Sequence, residues 1–376
     1  MKKRVLLIGI DGLRPDALLE YAPNIRKFGE DNLYTWNSKV NIPISAPSWS
    51  TIFTGLSYKN TGVTNNAFTG STLSLLDNKL ITGESKTIFY YLKKHNKNSK
   101  VISAGPWDGI YMIANYNNSL IDKNNIREFN DCKVKIKKTI ESYYSSEQLE
   151  KKKKRKKSIS KRNSNNIKSA ILDNRYCDKW SKNPLINEYK SERYALSKTL
   201  KFMEDSNIDF VTFYTHHVDA HGHRFGHNPR IKEYAQSIVK TDKNIKKLLD
   251  YVKNRELHNK ENWMVIITTD HGGSARKILR KHKRGREILK KFDNDKQINA
   301  GIDQSQLMGI HGLRDDAEIY NKHTTNFVIV KKPNKESKHL GLNKTNKDIS
   351  PTIIKYLIPG KKGKDILKKM DGKPIV

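Results

Sequence analysis

The chain has 376 residues, with 72 Lys and Arg against 39 Asp and Glu, a formal charge of +33 and 36% hydrophobic residues. At roughly 100–200 residues per domain, that length suits one large α/β domain or two smaller ones. It excludes a small disulfide-stapled scaffold, for which two cysteines, Cys132 and Cys177, are too few.

Residues 5–10 form a continuous apolar run behind a basic start, imitating a signal peptide, and a strand is predicted over 4–10. Asp11 ends the run and no small-residue cleavage site follows, so a buried first strand in a cytoplasmic or nuclear protein is expected. Residues 264–267 are another short apolar run, and both fall far below the ~20 residues of a membrane span, so no transmembrane segment is expected. Helices are predicted over 22–28, with Pro23 in the first turn, over 48–54 just after Pro47, and over 86–95. A strand follows at 100–104, then a helix at 191–204 and a strand at 210–215. The periodic positions Ile231, Tyr234, Ile238, Ile245, Leu248 and Leu249 predict a long helix over 230–254. Strands at 263–268 and 327–330 and a final helix at 350–357 complete the series. The alternation predicts an α/β fold, a mostly parallel sheet with helices on both faces.

In such sheets ligands bind beyond the carboxyl ends of the strands. Asp11, then Asp219 and His223, then Asp270 and His271 follow predicted strands, and His311 with Gly312 lies ahead of the strand at 327–330. One such residue alone is ordinarily a helix cap or a packed side chain. Together they make an oxygen and nitrogen donor set without cysteine, suited to zinc or another divalent ion. Ser48 reads as a helix N-cap. Ser45 has a second option: beside a metal and a polarised helix N-terminus its hydroxyl would lose a proton more easily, and free helix amides would attract an anion.

These residues carry a resemblance to the alkaline phosphatase superfamily, closest to its type I phosphodiesterase/nucleotide pyrophosphatase branch. VLLIGIDGLR at 5–14 resembles the opening strand with its metal-binding Asp, and Ser45-Ala46-Pro47-Ser48 sits where the family carries its nucleophile. Thr54-Gly55, Gly62 and Asn66 keep the branch's spacing; Asp219-Ala220-His221-Gly222-His223, Asp270-His271-Gly272 and His311-Gly312 are similar to its ligand motifs. DISPT at 348–352 and MDGKP at 370–374 resemble its closing helix and tail. The resemblance implies a single alkaline-phosphatase-like three-layer domain over 1–376, with inserted loops. It implies two divalent metal ions, usually zinc, one held by Asp219, His223 and His311, the other by Asp11, Asp270 and His271, with Ser45 on the second. The implied reaction is a two-step in-line displacement through a phosphoseryl intermediate, with Asn66 donating to a phosphoryl oxygen. The substrate is then a phosphate ester, a nucleotide among them.

Departures from the pattern leave alternatives. Trp49 stands where the sulfatase branch has Arg, which disfavours sulfate esters, and Ser48 stands where the phosphodiesterases often have Asn. Trp49 reads as a half-buried helix residue before a base-stacking one. His216, His217, His221 and His227 read as solvent-facing, with His217 or His221 as an alternative partner of a ligand or contact to substrate. His323 competes with His311, which the following glycine favours. A phosphomonoesterase on the same site and a catalytically weak binder of nucleic acid or other polyanions are the competing functions.

Two basic insertions are expected, over about 130–185 and 274–310. Residues 151–162 hold nine basic residues in twelve, and 276–291 nine in sixteen. The first reads as a disordered solvated loop ahead of a nuclear localisation signal or a nucleic-acid-binding arm, and the second as an electrostatic funnel for polyanionic substrates.

Overall fold

The computed structural model describes residues 1–66, 85–115, 184–279, 288–289, 307–311, 317–333, 336–341 and 343–376. Strand β1 (Lys2–Ile10) is buried from Arg4 onward, because both faces of its apolar run are covered. Beside it lie β4 (Ile208–Thr215) and β5 (Glu261–Thr268), both parallel to it. With β2 (Leu33–Lys39), β3 (Lys100–Ala104), β9 (Thr325–Lys331) and β10 (Lys338–His339) they form a seven-stranded sheet in the order β10-β2-β9-β5-β1-β4-β3. Only β9 runs antiparallel to its neighbours. The fold is thus α/β with a mostly parallel sheet, as expected.

Alternate residues of β1 separate two cores. Val5 and Leu7 pack with α3 (Ser45–Thr54), α5 (Ile88–His95), α6 (Asp108–Asn115) and α11 (Ile349–Leu357). Leu6, Ile8 and Ile10 face α1 (Pro15–Tyr21), α2 (Pro23–Glu30), α7 (Pro184–Met203), α8 (His217–Phe225) and α9 (Lys232–Asn259). Each fully buried large apolar side chain in these layers contributes ~1.5–3 kcal/mol.

Register then builds the site. Ile10 pairs with Thr215 and Gly9 with Thr268, so β1, β4 and β5 end level, and the residues that follow them meet at one edge. Because β9 runs the other way, its first residues reach that edge too.

Helix α3 begins at Ser45, three residues before the expected start, with Pro47 in its first turn. The first-turn N–H groups of a helix have no intrahelical partner, so the proline there costs no bond. Not anticipated were α1, β2, α6, α8, the short helix α4 (Tyr58–Thr61), α10 (Ala317–Thr324) and the closing helix α12 (Lys361–Leu367). Within 274–310, β6 (Ser274–Leu279), β7 (Ile288–Leu289) and β8 (Leu307–Ile310) form a small antiparallel sheet. The run at 151–162, both cysteines and Gly312 lie outside the described residues. Among the described residues no helix is long and apolar enough to cross a membrane.

Candidate active site

Two groups of ligand-type side chains converge at the level strand ends: Asp219, His223 and His311, and Asp11, Asp270 and His271. The second group is wholly buried. His271 Nδ1 lies 2.8 Å from the Gly272 carbonyl, to which it donates, so Nε2 turns inward. That atom is 3.2 Å from Asp11 Oδ1, 3.3 Å from Asp270 Oδ2 and 3.2 Å from Ser45 Oγ. Asp11 Oδ2 accepts the hydroxyl of Tyr214, and Asp270 Oδ1 accepts from Gly12 N at 3.3 Å. Asp11 Oδ1 and Asp270 Oδ2 are buried without a hydrogen bond.

In the first group, Asp219 on α8 has Oδ2 3.0 Å from His223 Nε2, one helical turn on. His311 Nδ1 donates to the Pro43 carbonyl at 2.9 Å, and its Nε2 lies 3.0 Å from His223 Nε2. The rings of His311 and His271 stack at 3.8 Å, which joins the two groups into one site.

Charge at this edge is one-sided. Asp11, Asp219 and Asp270 are at most 1% exposed, and among the described residues none pairs with lysine or arginine. Burial and the neighbouring Asp11 charge hold the Asp270 carboxyl well above its usual range. Burial works against the charged form of His271, but Asp270 and Asp11 outweigh it and raise the imidazole to about 10. Burial, with the Asp11 and Asp270 charges, also keeps the Tyr214 hydroxyl protonated. Three desolvated carboxylates, two orphaned oxygens and imidazoles turned inward by carbonyls are a donor set that fits divalent cations.

Ser45 is 7% exposed in the first turn of α3. Asn66 Oδ1 accepts from Ala46 N at 2.8 Å, which leaves its Nδ2 as a donor beside that turn. In the first turn of α3, Ala46 N is taken by Asn66, Ser48 N bonds the Ile44 carbonyl and Pro47 has no N–H, so the expected free helix amides narrow to that of Ser45. Ser48 is not the N-cap; its hydroxyl donates to the Asp270 carbonyl at 2.7 Å.

The histidine cluster also differs from expectation. His227 is fully buried with Nε2 2.8 Å from Asp219 Oδ1, and His216 Nε2 is 3.3 Å from Asp219 Oδ2 with Glu188 behind it. His217 and His221 are buried as well, His221 donating to the His217 carbonyl, so the face turned from solvent holds most of the cluster. The four-residue spacing of Asp219, His223 and His227 carried the signal that was missed. Trp49 is not half-buried but 1% exposed, packed edge-on against Tyr214 in the core, which removes a stacking role toward substrate. His323 lies outside both groups, against Ser274.

The model of the family "Type I phosphodiesterase / nucleotide pyrophosphatase" matches residues 5–359. The chain belongs to this family. A rat (Rattus norvegicus) relative, ectonucleotide pyrophosphatase/phosphodiesterase family member 7, is 29% identical over 94 residues, 24% of this chain. The match spans 20% of the length of that curated relative. Murine ectonucleotide pyrophosphatase/phosphodiesterase 5, solved as an inactive Thr-to-Ala variant with AMP, superposes with a TM-score of 0.54 at 13% identity, over 98% of this chain and 100% of that one. Wild-type alkaline phosphatase PafA gives 0.57 at 13% identity, over 99% and 98%. At such identities the solved structures establish the shared fold.

Proposed function

We propose that this member of the family is a two-metal phosphodiesterase or nucleotide pyrophosphatase with Ser45 as its nucleophile. The observation that carries the reading is the meeting of Ser45 Oγ with His271 Nε2 where the two ligand groups abut. The nucleotide preference draws on the family and on AMP in the murine neighbour.

Asp219, His223 and His311 would hold one cation and Asp11, Asp270 and His271 the other, with Ser45 facing the second. Divalent cations, zinc being suited to these donors, supply ionisation of a nearby hydroxyl and neutralisation of phosphoryl charge when bound. Ser45 Oγ attacks phosphorus in line, its bond to phosphorus forming as the bond to the departing oxygen breaks. Water then cleaves the phosphoseryl bond and returns the serine. Asn66 Nδ2 orients a non-bridging oxygen, and the stacked His271 and His311 rings fix the floor.

Zinc-loaded protein should hydrolyse bis(p-nitrophenyl) phosphate faster than p-nitrophenyl phosphate, and p-nitrophenyl sulfate least. A monoester preference would make it a phosphomonoesterase. Zinc binding with no turnover of any of the three would favour the polyanion-binding reading.

A further inference from the structure

Behind the nucleophile, Ser48, Asn346 and Asn326 are 3%, 1% and 0% exposed, and none of them is a candidate ligand. Ser48 lies three residues after Ser45, so both project from one face of α3. That face meets one loop twice: Ser45 Oγ at the His271 side chain, and Ser48 Oγ at the Asp270 carbonyl, 2.7 Å away.

The hydrogen bonds behind Ser48 run in one direction. Phe327 N donates to Asn326 Oδ1, which fixes the orientation of that amide. Asn326 Nδ2 then donates to the Thr269 carbonyl at 2.6 Å and to Asn346 Oδ1. With its oxygen occupied, Asn346 turns Nδ2 to Ser48 Oγ at 2.7 Å. The serine therefore receives one hydrogen bond and has its own proton left for the Asp270 carbonyl. Asn346 itself sits on a firm base, the 3-10 turn Asn346–Asp348, closed by a reciprocal bond pair between Thr345 and Asp348.

We infer that the Asn326–Asn346–Ser48 relay is a positioning device that sets the register of Ser45 against the Asp270–His271 loop. It rests on the reading of Ser45 as nucleophile. A buried relay with every donor and acceptor matched has one arrangement, and losing one polarity disturbs all of it. The three side chains touch no reacting atom and act through the relative placement of Ser45 and the loop that carries Asp270 and His271.

Three variants test this, Ser48→Ala, the isosteric Asn346→Asp, which puts an acceptor where Ser48 needs a donor, and Ser48→Thr, which keeps the hydroxyl. Ser48 also lines a small cavity together with Pro47, Thr51 and Asn346. For bis(p-nitrophenyl) phosphate, kcat should fall ~10- to 100-fold in the first two with KM within about twofold, while Ser48→Thr recovers most of the rate. Zinc content should stay near wild type, Tm should fall by no more than a few degrees for the polar groups left unpaired, and hydrogen exchange should quicken at amides 45–54 and not in β4. Unchanged kcat and exchange, a loss that follows zinc content or Tm, or a failure of Ser48→Thr to recover, would overturn the inference. If wild-type turnover proves independent of Ser45, the functional reading falls, and the exchange measurement still decides whether the relay holds the helix.

Discussion

His227 Nε2 lies 2.8 Å from Asp219 Oδ1 in a fully buried pair, which leaves Oδ2 of the carboxylate to His223 at 3.0 Å and His216 at 3.3 Å. Burial lowers the His227 imidazole to about 4, so it is neutral at pH 7 and donates its single N–H to Asp219. A neutral donor orients a ligand without cancelling its charge. His227→Gln should therefore weaken zinc binding ~10- to 100-fold and restore turnover at excess zinc, as chelator competition and zinc-titrated rates would show. Wild-type zinc affinity in that variant would remove His227 from the site.

Gly222 has a defined reason to be glycine. A Cβ there would lie 2.2 Å from His227 Cδ2 and 2.3 Å from Nε2. Gly222→Ala should thus mimic His227→Gln in zinc affinity, and the double variant should be no worse than either single one. Additive losses in that cycle would show that the two act separately.

A third prediction concerns stability at the opposite end of the sheet. Arg4 Nη2 lies 2.8 Å and Arg255 Nη2 2.6 Å from Glu261 Oε1, all three groups being buried. Burial alone would raise the Glu261 carboxyl, but hydrogen bonds from Arg255, Trp263 and Arg4 outweigh it and hold it below its usual range. Glu261→Gln leaves two guanidinium groups uncompensated and should cost about 3–5 kcal/mol in urea unfolding at pH 7. A depressed folded-state pKa stabilises above the unfolded value, near ~4.3, and that gain is lost as pH falls through the folded value. The gap between the two proteins should accordingly close in acid. A gap independent of pH would contradict the assignment.

The central strands were legible because β1 and β5 are covered on both faces and read as near-continuous apolar runs, while IDFVTFYT of β4 is rich in β-branched and aromatic residues. β2 was not, since LYTWNSK mixes polar and aromatic residues on a strand only partly buried. Helix α8 was hidden for a related reason: HVDAHGHRF has little apolar periodicity, its inward face being built from His217, Asp219 and His221. The ligand-type residues could be read from their places after strands, and the structure brings all six together in two groups. The supporting contacts could not. Tyr214 reaches Asp11, and Asn346 reaches Ser48, across 203 and 298 residues, and only the fold closes such distances.

The most direct test of the account is the initial rate of bis(p-nitrophenyl) phosphate hydrolysis by zinc-loaded wild type and Ser45→Ala, with bound zinc measured on the same samples. The account predicts that Ser45→Ala keeps both ions and loses turnover. Wild-type turnover in Ser45→Ala with both ions in place would contradict Ser45 as the nucleophile.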